Sequence, residues 1–446
     1  MAPLRLVAAA ALLLAASCYT PSIEECTVAC GPGGACPFEM TCRGDGFCHA
    51  DETPLCAVGG DGGVNLPDAR RFDARPDTAD ARPNTPDAAV MIDARQHDAR
   101  MPDAGNGGCV DTVGFIEDGD DEDATFANLT FVEGGHEHIT YIDERNGLLR
   151  YVHRVVGGDW SFETVGPAAA QLKGQTVDAH GGVHVAFTQS FPTPRLAYAY
   201  RPPAGGWRIE TVDDTALAID AAIAVDEDGV VNIVYWYNQS DLLNATQFLA
   251  GTDWFIEPID TEGTVGEHPA IAIGPGGALH VSYRVGGSRL DLGYARLLPL
   301  LPFWDPLLLD STEDNVGAYT AIAVDRQGTA HIAYSDFTHE NLKYATIAAN
   351  GTRRLATADE TRFTGRFNSI AVDSRGGVHI STFDYGLQDL RYLTKAPGGT
   401  NFRPRVVDSA GNVGRHSSLA VDSLGVVHIA YIDDGRGDLK YATICP

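Results

Sequence analysis

A segment of about 48 residues recurs seven times between Cys109 and the end of the chain, and this periodicity constrains the fold more than any composition does. The clearest copies are Ala371-Val372-Asp373-Ser374-Arg375-Gly376-Gly377-Val378-His379-Ile380-Ser381 and Ala420-Val421-Asp422-Ser423-Leu424-Gly425-Val426-Val427-His428-Ile429-Ala430-Tyr431. One position runs His138, His184, Asn232, His280, His331, His379 and His428, at spacings of 46, 48, 48, 51, 48 and 49 residues. Each copy reads as four short strands: a (Ile370-Ala371-Val372), b (Val378-His379-Ile380), c (Leu342-Lys343-Tyr344-Ala345) and d (Trp207-Arg208-Ile209-Glu210-Thr211-Val212). The Asp-x-x-Gly between a and b suits a tight hairpin, with Gly376 or Gly425 supplying a positive φ. A four-stranded unit repeated seven times specifies an all-β, seven-bladed β-propeller over residues 109–446. The rival, a β-solenoid, uses shorter repeats, and no helical period is present.

At 446 residues and 44% hydrophobic content the chain can bury a large core. Its formal charge of -28 repels phosphate, and no local basic patch offsets it, so nucleic acid is not an expected partner.

The chain ahead of the repeats divides into three parts. Met1–Ser17 holds Arg5 and an apolar run from Leu6 to Ala16, the form of a signal peptide and too short to span a bilayer. Leu14-Ala15-Ala16-Ser17-Cys18 resembles the bacterial lipobox. That resemblance implies diacylation of Cys18 and a membrane anchor through the N-terminal lipid. Tyr19, in place of Asp, implies sorting to the outer membrane. The alternative is an ordinary cleaved signal with Cys18 as a structural thiol. Residues 18–56 carry Cys26, Cys30, Cys36, Cys42, Cys48 and Cys56 among Gly and Pro, which suits a small disulfide-stapled module of unresolved connectivity. A zinc site is disfavoured because no CxxC pair is present. Residues 57–108 repeat Pro-Asp-Ala and Asp-Ala-Arg, with too little apolar material to offset ordering entropy, and are expected to form an extended, disordered spacer.

The run Ala-Val-Asp-x-x-Gly-x-x-His-Ile-Ala-Tyr, followed by Leu-Lys-Tyr-Ala, resembles the repeats of bacterial sialidase-like (BNR-type) propeller proteins. The cysteine module and Pro-Asp-Ala spacer look like those of Gram-negative lipoproteins. The resemblance implies architecture more than activity: the Asp-box Ser-x-Asp-x-Gly-x-x-Trp is missing, and true sialidases have six blades.

A sialidase needs three arginines on a carboxylate, a Tyr-Glu pair and an acid. Arg145, Arg284, Arg289, Arg366, Arg415 and Arg436 fall on b–c or d–a loops, and nothing selects a triad among them. No catalytic residue is therefore assigned. The recurring histidines are read as hydrogen-bonding partners between strands rather than metal ligands, since Asn232 replaces one of them. Glu117, Asp118, Asp120, Asp121, Glu122 and Asp123 have the oxygens for Ca2+ but not the spacing of a calcium loop, and are read as a solvated turn. No metal or other cofactor is expected. Aromatics and acids on the loop face point instead to a glycan or protein ligand bound without catalysis, the alternatives being a glycosidase or a structural envelope protein. The candidates are Trp236, Tyr237, Asp336, Phe337, His339, Asp384, Tyr385, Asp433 and Asp434 on b–c loops, with His268, Tyr319, Phe367 and His416 at d–a loops. The competing role for Tyr319 and Phe367 is a wedge between blades. Trp160, Trp207 and Trp254 recur with the blade period and are read as packing.

The seventh repeat stops after strand c. Cys109-Val110-Asp111-Thr112 resembles Val406-Val407-Asp408-Ser409, so the N-terminal segment is expected to supply the missing strand d and to bring Cys109 to Cys445 for a disulfide.

Overall fold

The structure is a computed structural model. It describes Thr41–Cys42, Cys48–His49 and residues 111–445 apart from 117–122, 133, 168–171, 190–194, 216–217, 249, 288–289, 300, 302 and 312–314. Residues 1–18, with the signal peptide and Cys18, lie outside these, as do Cys26, Cys30, Cys36, Cys56, the spacer 57–108, Cys109, Arg289 and the acidic residues 117–122. In the cysteine-rich segment Thr41–Cys42 pairs antiparallel with Cys48–His49, and Cys42 stands opposite Cys48.

Residues 111–445 form seven antiparallel four-stranded sheets, each ordered a-b-c-d. Strand a is innermost: the seven a strands contact one another in sequence around the ring, and the last, Val413–Val421, meets the first, Ala124–Val132. Because successive strands alternate in direction, the d–a and b–c connections emerge on one face and the a–b and c–d connections on the other. The blades are closely stacked, with Ile, Val, Leu, Ala and Tyr from b and c strands filling each junction.

Polar links repeat with the blades. The histidine of strand b bonds the tyrosine hydroxyl of strand c in its own blade: His184 to Tyr198 at 2.7 Å, His280 to Tyr294 at 2.6 Å, His379 to Tyr392 at 2.6 Å. The Asp of the a–b turn sits at the far side of the ring, 3.0 Å from His184 Nε2 for Asp178 and 3.1 Å from His331 Nε2 for Asp325. A carboxylate only accepts, so Nε2 carries the proton there. Burial pushes the pKa of His184 and His331 down, so both rings are neutral and their Nδ1 accepts from tyrosine. In blade three both partners change together, and Asn232 Oδ1 takes Thr246 at 3.0 Å and Asn244 at 3.4 Å. The histidines are thus structural. A second link joins neighbouring blades: Asp213, Asp260, Asp310 and Asp408, ending their d strands, accept from Tyr235, Tyr283, Tyr334 and Tyr431 of the next b strand at 2.6–2.9 Å. Where blade six has Thr382 instead, Arg391 of strand c reaches Asp359 at 2.9 Å.

The ring closes as expected in kind but not in register. Thr112–Phe115 pairs with Asp438–Ile444, strand c of blade seven, placing Thr112 opposite Thr443 and Phe115 opposite Lys440. In blade six the residue opposite the equivalent Arg391 is Val406. Phe115, not Cys109, therefore occupies the Val406 position, six residues beyond the match read from sequence. Asp111 lies at the other end of the strand, accepting from Cys445 N at 2.8 Å and Arg405 at 2.9 Å. Cys445 is disulfide-bonded.

Candidate functional site

Strand a carries the least ordinary backbone in the ring. In blades one, four, five, six and seven, Phe126, His268, Tyr319, Phe367 and His416 adopt φ of 50–55°, the left-handed region that bulky side chains avoid. All five sit at β-bulges where the a–b register slips. In four of these blades a glycine two residues earlier makes the approach possible. At Gly317 (φ 85°) an added Cβ would lie 2.5 Å from Asp291 O of the preceding blade, and at Gly414 (φ 107°) 2.7 Å from Leu390 Cα. The strained carbonyls are held by the next blade: Thr320 donates to His268 O at 2.7 Å, Asn368 to Tyr319 O at 3.0 Å and Ser417 to Phe367 O at 3.1 Å.

The bulges turn five rings toward the axis, where they form one arc. Centroids are 4.1 Å apart for Phe126–His416, 4.3 Å for His416–Phe367, 4.8 Å for Phe367–Tyr319 and 4.5 Å for Tyr319–His268. The arc ends in blade three, where Asp220 Oδ2 faces His268 Nδ1 at 3.3 Å. One cavity of about 300 Å³ runs along the axis against strand a of all seven blades. Another, of about 640 Å³, opens on the same rings and is walled by Asp123, Glu144, Arg415, Asp434 and Arg436 of blades one and seven. A side recess of about 200 Å³ is lined by Tyr319, Phe367, Arg366, Tyr385 and Arg415.

His268, Tyr319, Phe367 and His416 therefore stand together at the axial mouth, not between blades, and Phe126 joins them although the sequence did not single it out. Asp434 lies on the wall, accepting from Arg415 at 2.8 Å. Phe337 lies beside Tyr319 and beneath Arg284 and Arg366, and Tyr385 lies beneath Arg366 at 3.7 Å. The other candidates do not reach the mouth. Asp336, Asp384 and Asp433 are buried at the b–c turns: Asp336 accepts from His339 N and Nδ1 at 2.9 Å, and Asp384 from Gly386 N and Leu387 N at 3.0 Å. Trp236 and Tyr237 are half-buried, Trp236 against Gly266 and Tyr237 in the blade-three core. Asp123 pairs with Arg145 at 3.4 Å.

The sialidase constellation is not assembled from the described arginines. Arg284 is spent on Glu267 and Asn315, Arg415 on Asp434, and Arg362 on Glu340. A Tyr-Glu pair exists, with Tyr385 donating to Glu340 at 3.0 Å. Burial and that hydrogen bond push the Tyr385 pKa up, the opposite of what a tyrosine nucleophile requires.

No family model matches the chain. No curated protein matches it either. Among solved structures it is similar to the lectin BP39L from Burkholderia pseudomallei (15% identity, TM-score 0.57, 72% of this chain and 96% of the lectin). It is also similar to an inactive variant of virginiamycin B lyase from Staphylococcus aureus with quinupristin (11%, 0.54, 75% and 100%). A third is an ulvan lyase, a polysaccharide lyase bound to a GlcA–Rha3S chain (12%, 0.51, 74% and 95%). At such identity they share the fold, and the fold serves binding and several chemistries alike.

Proposed function

We propose that the axial mouth binds a glycan without transforming it. The observation that carries this is the arc of five rings held in left-handed conformations: strain kept at one place in five blades, with an inter-blade hydrogen bond from the next blade at three of them, fits a surface preserved for contact. Aromatic faces suit the apolar faces of sugar rings, and the carboxylates and guanidinium groups of the blade one and seven wall suit hydroxyl groups. The lectin and ulvan lyase neighbours support a saccharide over other ligands. Among the described residues the Tyr385–Glu340 pair carries a raised tyrosine pKa, which favours binding over hydrolysis through that tyrosine. We place the propeller on the cell envelope, tethered through a lipidated Cys18 and the spacer 57–108, as the N-terminal sequence implies.

A glycan array probed with the full chain tests the site, with Phe367→Ala and His416→Ala as variants. Binding of a glycan set that either variant weakens by about tenfold, the scale of a lost ring contact, supports the proposal. Absence of glycan binding, or binding indifferent to both variants, overturns it. Palmitate labelling abolished by Cys18→Ala tests the anchor.

A further inference from the structure

The outer junctions between blades follow a rule that blades five and seven break, blade five having Arg353 at the position where the others carry an aromatic ring. Blades one to four place Trp160, Trp207, Trp254 and Trp304, and blade six Phe402, three residues ahead of the d residue that faces the central tyrosine position of strand c (Glu163, Glu210, Glu257, Leu307 and Arg405). Four of these rings wedge edge-on against the strand c tyrosine of the preceding blade; Trp304 meets blade three, which has Asn244 there. The centroids are 5.6 Å apart for Trp160 on Tyr441, 5.2 Å for Trp207 on Tyr151, 5.2 Å for Trp254 on Tyr198 and 5.0 Å for Phe402 on Tyr344. Two indoles also donate from Nε1 to the preceding blade, Trp207 to Glu163 at 3.1 Å and Trp304 to Glu257 at 2.9 Å.

Blade seven takes its d strand from the start of the domain. Gly114 faces Tyr441, so the wedge position, three residues earlier, is Asp111. The polarity of the link is inverted as well. Where blades one and three have Glu163 and Glu257, blade six has Arg405, and here the guanidinium donates to the carboxylate of Asp111 at 2.9 Å. A carboxylate fills far less space than an indole. Between blades six and seven, on the face opposite the axial mouth, a cavity of about 420 Å³ is lined by Tyr392, His379, Arg375, Arg403 and Arg405.

We propose that this slot binds a planar aromatic carboxylate of about indole size. The ring takes the place that tryptophan fills at other junctions, against Tyr392, whose hydroxyl is fixed by His379 at 2.6 Å. The ligand's carboxylate replaces that of Asp111 at Arg405, whose cationic carbon already stands 5.4 Å from the Tyr392 ring centre. The Arg405–Asp111 pair is half exposed, at 42% and 52%, so little is lost in opening it. Asp373 and Asp422 also line the cavity, but Asp373 is occupied by the amides of Arg375 and Gly377 at 2.8 and 2.7 Å and by His379 at 3.2 Å, and Asp422 by the amides of Leu424 and Val426 at 2.9 and 2.7 Å, so neither is spent on the guanidinium groups. Three arginines on one cavity stand out in a chain of net charge -28, and they select an anion.

Calorimetric titration of the full chain with indole-3-acetate, indole and acetate tests the proposal. Saturable binding of indole-3-acetate is expected, with indole about tenfold weaker or worse, the scale of a lost charge-assisted hydrogen bond, and acetate weaker still. Asp111→Trp fills the slot from within and should abolish binding without lowering the melting temperature. Arg405→Gln, which leaves Asp111 bonded to Cys445 N, should weaken indole-3-acetate and not indole. Phe367→Ala, in the axial arc, should change neither, which separates this site from the glycan site. Absence of saturation at millimolar indole-3-acetate, equal affinity for indole, or unchanged binding by a folded Asp111→Trp variant would each overturn the proposal.

Discussion

The hydroxyl of Thr320 in blade five donates to the carbonyl oxygen of His268 in blade four at 2.7 Å, and accepts from Ser282 at 2.9 Å. A strained residue of one blade is therefore held by the residue that follows the strained position of the next. Thr320→Val keeps the shape and removes both bonds. It should cost about 1 to 3 kcal/mol, the scale of buried polar groups left unpaired, and loosen the aromatic arc. Denaturant titration reads the first effect and glycan binding the second; unchanged stability would contradict the locking role.

Tyr319 separates ring from backbone. Tyr319→Gly accepts φ near 50° without strain and should remain folded while losing glycan binding. Tyr319→Val puts a β-branched residue in the left-handed region and should be less stable than the glycine variant by about 1 to 2 kcal/mol. Thermal melts of the two variants check the order.

The blades were legible because each repeats an alternation and a tight turn, and six of the seven a histidine that ties strand b to strand c of its own blade. The axial arc was only half legible. Aromatic residues give no sign of positive φ, and the trace they do leave, Gly-x-aromatic at Gly266, Gly317, Gly365 and Gly414, is absent in blade one, where Ala124 precedes Phe126. Asp336 and Asp384 looked like ligand contacts because their turn-closing bonds go to backbone amides, which sequence does not display. The closing strand was misregistered because a four-residue outer strand, exposed along its length, has no buried face to fix its phase. Val110-Asp111 happened to mimic Val407-Asp408.

Burial holds the pKa of His138 and His280 near 4, from an ordinary value of 6.5. For His138 the charges of His153, His136 and Arg201 add to the effect, and for His280 that of Arg296. The unfolded chain binds protons at these sites first, so stability is complete above 6.5 and falls as the pH drops toward 4. His280→Asn should flatten that fall, as Asn232 already does in blade three. Chemical denaturation at pH 7 and pH 5 measures the difference.

His428 behaves oppositely. Burial works against its charge, but Asp422 at 3.6 Å and the fully buried Glu137 of blade one at 3.0 Å outweigh it and raise the pKa above 6.5. Its contribution is fully present below 6.5 and is lost as the pH rises through the higher folded value. Glu137→Gln should remove this dependence. Hydrogen-exchange protection factors of Asp438–Ile444, corrected for the intrinsic rise of exchange with pH, should fall from pH 6 to 9 in the parent and hold in the variant.

Thr112 stands opposite Thr443 and Cys445 is disulfide-bonded, and we expect Cys109 to be its partner. Non-reducing peptide mapping should recover that pair. Cys109→Ser should destabilise the ring by up to about 6 kcal/mol, the entropic limit for so long a loop. A Cys445 peptide linked to the 26–56 segment would refute the pairing.

The strand that completes blade seven is an outermost one, so the ring is closed at its circumference and not at its axis. Both flat sides of the ring are left clear of the residues that close it. The axial mouth and the slot beside Tyr392 lie on opposite sides, so filling one cavity leaves the other open.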